Sequence, residues 1–254
     1  MEFDWQVLLI VVPFVFLAGF IDSIAGGGGV ISITGFLLSG LPVHSVLGVN
    51  KVQASVGTAV STFNYIKGGH FDWKFIPFSL VFCIIGAYFG ATLVTILDPE
   101  IMKRLLLIII PIIALIMMFN KKITSLVKPQ TLTTKQIYIV SSIIGLTIGF
   151  YDAFIGPGTG TFLIIAFTMC GVQMLDAGGN AKIINLTSNI ISAIIFLLHG
   201  HVIWWIAIPC IIANIIANQL GSKLAIKNGE KIIRPTLLIV MALLIIKFIF
   251  DFLG

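Results

Sequence analysis

Long stretches of this chain are almost free of charge, and they limit the fold more than any other feature. The runs 73–97, 101–119 and 235–250 are apolar, each with a charge only near one end. An α-helix needs roughly 20 such residues to cross a bilayer. Of all residues, 58% are hydrophobic and 10% are charged, against about 25% charged in soluble domains. The sequence therefore predicts an all-α, polytopic membrane protein.

Ten apolar segments can be recognised, five on each side of a polar, basic stretch that contains Pro129. They cover 6–25, 30–40, 45–66, 74–97, 100–119, 136–155, 159–171, 181–198, 202–222 and 235–252. The second segment of each five is about half as long as a full span. We predict a first transmembrane repeat over 1–120, a linker over 121–135 and a second transmembrane repeat over 136–254. Glu2 and Asp4 precede the first run, where a signal peptide carries positive charge, so we interpret this run as a membrane helix.

The two halves repeat each other in sequence. Gly-Phe-Ile-Asp at 19–22 matches Gly-Phe-Tyr-Asp at 149–152, and the glycine run 26–29 matches 156–159. Later matches keep the same order: Asn50 with Asn180, Lys51 with Lys182, Gly69 with Gly200, His70 with His201, Trp73 with Trp204 and Gly90 with Gly221. This order indicates duplication. Because each half has an odd number of segments, the second half is expected to be inverted, as in many transporters. Channels and some membrane enzymes are also duplicated, so this plan alone does not establish transport.

The positions of Lys and Arg predict the orientation. If 121–135 faces the cytoplasm, ten basic residues fall on that side and three on the other, as the positive-inside rule requires. The ten are Lys67, Lys74, Lys121, Lys122, Lys128, Lys135, Lys223, Lys227, Lys231 and Arg234, and the three are Lys103, Arg104 and Lys247. We therefore expect a cytoplasmic central linker.

The two glycine-rich stretches, 26–29 and 156–160, are predicted to break helices. Each glycine costs about 1 kcal/mol relative to Ala in a helix, and freed backbone groups within a bilayer must face protein or a polar cavity. A short helix that begins after each break would present free N–H groups, which bind anions. We expect the two N-termini to converge on one anion. The alternative is that the glycines only allow close packing.

The third segment of each half carries a polar stripe. Lys51, Ser55, Thr58 and Thr62 share one helical face, as do Lys182, Asn185, Asn189 and Ser192. Such a stripe faces either a cavity or a partner helix. The paired lysines favour an anion cavity, with snorkelling of both lysines to the interface as the alternative.

Asp22 and Asp152 each lie beside a glycine break in an apolar context. A charged Asp at the centre of a membrane helix costs about 2.5–3.5 kcal/mol. We therefore expect each to be protonated, paired with a lysine or capping a short helix. The first case would suit proton coupling.

No nucleotide-binding loop, zinc motif or nucleophile–base pair is recognisable, so we predict that the protein is not an enzyme and uses no cofactor or metal. Cys83, Cys170 and Cys210 lie in apolar segments without CxxC spacing. The modest net charge of +5 is interpreted by position in the membrane, not as a nucleic-acid-binding surface.

The stretch Ala-Gly-Phe-Ile-Asp-Ser-Ile-Ala at 18–25, the following glycines and Leu-Gly-Val-Asn-Lys-Val-Gln at 47–53 resemble the TauE/SafE sulfite-exporter family. Residues 149–160, 200–204 and 229–235 are similar to the same family. The resemblance implies a bacterial inner-membrane protein that transports small anions, often sulfur oxyanions or organosulfonates such as sulfite or sulfoacetate. Pro157 and Thr159 in the second glycine motif make the two half-sites unequal.

The resulting hypothesis is a secondary transporter that moves a small anion by alternating access between two inverted halves, with broken or re-entrant short helices at the glycine turns. An anion channel with the same midplane site, or a carrier of a non-sulfur anion, is the alternative. The expected partners are the anion and the lipid bilayer, with no nucleic acid, and a homodimer is one alternative for the assembly. Asp22 and Asp152 are the candidates for proton coupling or pairing. The candidate substrate-binding residues are Gly26, Gly27, Gly28, Asn50, Lys51, Gln53, Gly156, Gly158, Thr159, Asn180, Lys182 and Asn185.

Overall fold

A computed structural model describes residues 4–106, 108, 132–229, 231–233 and 235–236, and within them the chain is helical without strands. Eight helices have both ends in this part. They are α1 (Trp5–Ala25), α2 (Gly29–Leu38), α3 (Val43–Lys67), α4 (Ile76–Ile96), α5 (Thr134–Phe154), α6 (Thr159–Met169), α7 (Met174–Leu198) and α8 (Trp204–Asn228).

Five of these helices, α1, α4, α5, α7 and α8, are long and apolar enough to cross a membrane. Helix α3 has 25 residues, like α7 and α8, but carries more polar side chains. Helices α2 and α6 are apolar and have only 10 and 11 residues. Their lengths agree with the two short segments expected from the sequence, and the protein is a multi-pass helical membrane protein.

Several predictions from the sequence concern residues outside the part of the chain that the structure describes. Most of the predicted linker, 121–131, and most of the segments 100–119 and 235–252 lie outside the described residues. The start of the fifth segment is described. Asp98 Oδ1 accepts a hydrogen bond of 2.8 Å from the backbone N–H of Glu100, so Asp98 caps the start of this helix.

The helices pack closely through glycine. Helix α4 packs most extensively on α5, and α1 packs on α8, while α3 contacts both α8 and α7. A Cβ atom at Gly86 of α4 would lie 2.3 Å from the carbonyl oxygen of Leu146 on α5. Only glycine allows so close an approach, and small residues are typical of such contacts between membrane helices.

Two apolar cores flank the centre of the molecule. One surrounds Phe36 of short helix α2, and the other surrounds Phe167 of short helix α6. Both phenylalanines are fully buried, whereas large apolar residues such as Leu9, Phe89 and Leu220 lie on the outer surface. This distribution suits a lipid environment, and it anchors α2 and α6 beside a polar interior.

Candidate functional site

The first glycine run separates α1 from α2. Helix α1 ends at Ala25, and Gly26 and Gly27 follow with φ angles of +74° and +88°. L-residues with a side chain rarely adopt this left-handed region, whereas glycine adopts it freely. Helix α2 then begins at Gly29, and its N-cap, Gly28, makes no side-chain capping bond.

The second break has the same form. Helix α5 ends at Phe154, and helix α6 begins at Thr159 after Gly156 and Gly158, whose φ angles are +92° and +84°. Gly158 is the N-cap and, like Gly28, makes no side-chain capping bond. The first N–H groups of a helix have no intrahelical partner. No side chain caps either helix start. Some of these N–H groups donate to carbonyl oxygens of the turns, as Thr159 does to Gly156 at 3.2 Å and Ile31 to Gly28 at 2.9 Å.

The two breaks are in direct contact. A Cβ atom at Gly26 would lie 2.3 Å from the carbonyl carbon of Gly160, and Thr161 Oγ1 donates a hydrogen bond of 3.2 Å to the carbonyl oxygen of Ala25. The structure thus brings together two N-termini that lie 130 residues apart in the sequence.

A polar cavity lies where the breaks meet α3, α7 and α8. Its volume is about 40 Å³, and one water needs roughly 10–15 Å³. The cavity therefore has room for about three waters or an anion of similar size. Its lining comprises Ala18, Gly19, Asp22, Gly27, Gly28, Gly29, Ser32, Asn50, Lys51, Gln53, Ala54, Thr58, Asp152, Gly156, Gly158, Thr159, Gly160, Asn185, Asn189, Asn214 and Asn218.

Two ion pairs cross between the halves at this cavity. Lys51 Nζ lies 2.9 Å from Asp152 Oδ2, and Lys182 Nζ lies 2.8 Å from Asp22 Oδ2. The side chains of Lys51, Asp152 and Lys182 are at most 4% exposed, and that of Asp22 is 18% exposed. Each lysine thus neutralises the aspartate of the other half, which offsets part of the cost of burying the four charges.

Amide side chains surround the ammonium of Lys51. Lys51 Nζ donates a hydrogen bond of 3.0 Å to Asn189 Oδ1, and Asn189 Nδ2 donates to Asn185 Oδ1 at 3.1 Å. On the other side of α3, Ser32 Oγ and Gln53 Nε2 donate to Asn50 Oδ1 at 2.7 Å and 3.0 Å. These bonds fix the orientation of the side chains around the cavity.

The amide network continues between α3 and α8. Asn214 Nδ2 donates to Gln53 Oε1, and Asn218 Nδ2 donates to Asn214 Oδ1 at 2.7 Å. Farther along, Asn64 Nδ2 donates to Ser222 Oγ at 2.8 Å. The corresponding positions in the other half, 131 residues away as Lys51 is from Lys182, are the apolar residues Cys83, Ala87, Ala91 and Ile195. The polar interior therefore extends along the contact between α3 and α8, but not along the corresponding contact between α7 and α4.

Most of the predicted site residues line the cavity. These are Asp22, Gly27, Gly28, Asn50, Lys51, Gln53, Asp152, Gly156, Gly158, Thr159 and Asn185. Gly26, Asn180 and Lys182 do not line it. Gly26 packs against Gly160, Asn180 binds the backbone of Asp72 in the loop before α4, and Lys182 is turned towards Asp22.

Sequence reasoning missed Ser32 on α2 and two asparagines on α8. Asn214 and Asn218 lie four positions apart in an apolar helix, the spacing that places two side chains on one face. That pair of polar residues in a membrane segment was the available signal.

The fold and the cavity define a class: a multi-pass helical membrane protein that encloses a small polar site with paired charges. Residues 11–248 match the family described as Sulfite exporter TauE/SafE. This match covers nearly the whole chain, and the chain belongs to the TauE/SafE family of membrane transporters.

Full-length relatives support this assignment. The chain is 32% identical over 237 residues to the "Probable membrane transporter protein" of Haemophilus influenzae, covering 93% of this chain and 92% of that protein. It is 35% identical over 238 residues to "Probable membrane transporter protein ORF9" of a Sinorhizobium species, covering 93% and 90%. It is 32% identical over 236 residues to "Probable membrane transporter protein YfcA" of Escherichia coli K12, covering 92% and 87%. No solved structure matches the chain.

Proposed function

We propose that this protein is a secondary transporter that moves a small anion, a sulfur oxyanion or organosulfonate, across the bacterial inner membrane by alternating access. The central linker faces the cytoplasm in this proposal, as the distribution of Lys and Arg favours. The sulfur chemistry rests on the family description.

One observation carries the proposal: the ammonium of Lys51 and two uncapped helix N-termini line the same small cavity. Helix N-termini favour negative charge because their N–H groups and the helix dipole point at the ligand. Lys51 adds an ammonium group, whose charge is balanced by Asp152 in this structure, and Asn185 and Asn189 add hydrogen-bonding groups. This combination suits an oxyanion with several acceptor oxygens.

The size of the cavity favours a compact anion. Its volume of about 40 Å³ suits sulfite better than an organosulfonate, which would need a wider conformation. The cavity also lies between the two halves, whose ion pairs cross from one half to the other. Rocking of one half against the other around a fixed site is the motion that inverted-repeat transporters use.

A thermal-shift screen of the purified protein tests the binding step. The ligands are sulfite, sulfate, thiosulfate, sulfoacetate, taurine and carboxylates. A ligand at 100 times its dissociation constant stabilises the folded state by about 2.7 kcal/mol. We expect a saturable shift with a sulfur anion in the wild type and none in the charge-balanced variant Lys51→Met/Asp152→Asn. A wild type that no anion shifts would contradict the proposal, and a shift with carboxylates alone would move it to a non-sulfur anion.

A further inference from the structure

The two ion pairs correspond to each other in the sequence repeat, but the structure builds them differently. Lys182 Nζ donates to Asp22 Oδ2 and also to the backbone carbonyl oxygen of Asp22, near the end of α1. Cations are favourable at the C-terminal end of a helix because the carbonyl groups there carry partial negative charge. The same carbonyl oxygen also accepts a hydrogen bond of 2.8 Å from the backbone N–H of Gly26. Asp22 lines the cavity, but its partner Lys182 is fully buried and does not. This pair therefore has the features of a fixed link between α7 and α1.

The second pair is open to a ligand. Lys51 and Asp152 both line the cavity. Lys51 Nζ lies 2.9 Å from Asp152 Oδ2 and also donates a hydrogen bond of 3.0 Å to Asn189 Oδ1. Lys51 thus divides its contacts between Asp152 and an amide of the cavity wall, whereas both hydrogen bonds of Lys182 go to Asp22.

Charge balance determines what happens when an anion enters. Among the described residues, the charged side chains at the site are Lys51, Lys182, Asp22 and Asp152, and their charges sum to zero. A bound anion competes with Asp152 for Lys51 and would leave one uncompensated negative charge in a buried site. Because unpaired buried charge is strongly disfavoured, the site returns to neutrality if Asp152 takes up a proton.

We propose that the protein co-transports one proton with each monovalent anion, and that Asp152, but not Asp22, is the residue that carries the proton. The anion takes the place of the carboxylate beside Lys51, and the proton binds to Asp152 Oδ2. On release to the other side, the anion leaves Lys51, the proton leaves Asp152, and the ion pair forms again. No net charge crosses the membrane in this cycle, which rests on the proposed function.

Other titratable groups near Asp152 leave this assignment unchanged. Cys83 on α4 interacts electrostatically with both Asp152 and Lys51, and its Sγ donates to the carbonyl oxygen of Ile184. Tyr151 precedes Asp152 on α5 and donates its hydroxyl to the carbonyl oxygen of Pro157. Asp22 on α1 is held by Lys182 of α7. Lys51 of α3 is thus the charged partner that an entering anion can take from Asp152.

The proposal changes the expected driving force. A lone anion entering a cell that is negative inside works against roughly 2.3 kcal/mol per 100 mV. With one proton per monovalent anion, the membrane potential no longer contributes to the driving force, and a more acidic exterior drives uptake. The coupled protein therefore favours import when the outside is acidic.

Proteoliposomes that contain a pH-sensitive dye test the coupling. The probe is the monovalent anion with the largest thermal shift, supplied with or without an inward proton gradient while valinomycin and potassium set the potential. We expect uptake to follow the proton gradient, to ignore the potential, and to acidify the lumen by one proton per anion. Uptake that follows the potential without acidification would overturn the coupling but leave anion transport intact. If the protein transports no anion saturably at any pH, the proposed function itself is contradicted.

Two matched variants identify the proton site. Asp152→Asn is expected to lose the dependence of uptake on the proton gradient, whereas Asp22→Asn retains it even if its stability falls. The reverse pattern, or full proton dependence in Asp152→Asn, would overturn the assignment. If Asp152→Asn does not fold, calorimetry of anion binding to the wild type in two buffers of different ionisation enthalpy counts the protons directly. The proposal requires the uptake of one proton per anion, and a count of zero would contradict it.

Discussion

Lys51 on α3 lies 2.9 Å from Asp152 on α5, so the first half of the chain supplies the positive charge that neutralises the aspartate of the second half. Lys182 and Asp22 make the reciprocal contact at 2.8 Å. Each half would bury unpaired charge without the other. The two pairs therefore hold the halves together and place their charges at the shared cavity.

The Lys182–Asp22 pair should be tested for its structural role. Lys182→Met leaves the Asp22 carboxylate without its partner, and breaking a buried pair in this way costs about 3–5 kcal/mol. The double variant Lys182→Met/Asp22→Leu should recover much of the loss, because a well-packed apolar pair can replace a buried ion pair. Thermal unfolding in detergent measures the stability of the single and the double variant. A single variant as stable as the wild type would contradict the pairing.

A second prediction follows from the close contact between the two glycine breaks. Gly26 and Gly40 have nearly the same φ, +74° and +75°, but a Cβ would collide with Gly160 only at Gly26. Gly40→Ala should cost about 1–2 kcal/mol of conformational strain. Gly26→Ala adds a steric clash between backbones, so it should destabilise the protein considerably more. Equal shifts of the unfolding temperature in the two variants would rule out the close approach.

His201 lies in the loop between α7 and α8, and we expect it to make the stability of the protein depend on pH. Burial, followed by the nearby His44 and His199, lowers the pKa of His201 below its usual 6.5. The unfolded chain then binds a proton more readily than the folded protein, so stability falls as the pH drops from about 6.5 towards the lower folded-state pKa.

His201→Gln should flatten this part of the pH profile, because it removes the group that titrates differently in the two states. Thermal unfolding between pH 8 and 5, measured alongside the wild type, checks the prediction. If the stability of His201→Gln falls with decreasing pH as steeply as that of the wild type, groups other than His201 cause the loss of stability.

Much of the site could be predicted because its residues break local rules. A run of four glycines cannot continue a helix, and an aspartate or lysine in an apolar segment needs a partner. These rules identified the breaks at 26–29 and 156–160 and the charged residues Asp22, Lys51, Asp152 and Lys182. The same reasoning identified the short second helix of each half.

The remaining features depend on how distant helices meet. The sequence does not specify that Lys51 pairs with Asp152 and Lys182 with Asp22, because both contacts depend on how the two halves of the chain pack together. The role of Asn180 was also hidden, since its partner is the backbone of Asp72 in a distant loop. Asn214 and Asn218 enter the site only because α8 packs on α3.

The most direct test of the central claim, anion transport through the cavity at Lys51, is a counterflow measurement. Proteoliposomes are loaded with unlabelled sulfite and diluted into a trace of radiolabelled sulfite. A carrier transiently concentrates the label inside, with a rate that saturates, and the charge-balanced variant Lys51→Met/Asp152→Asn should abolish the effect. Label that only equilibrates, at a rate proportional to concentration, would indicate a channel. Counterflow that persists in the double variant would show that the anion crosses the protein elsewhere.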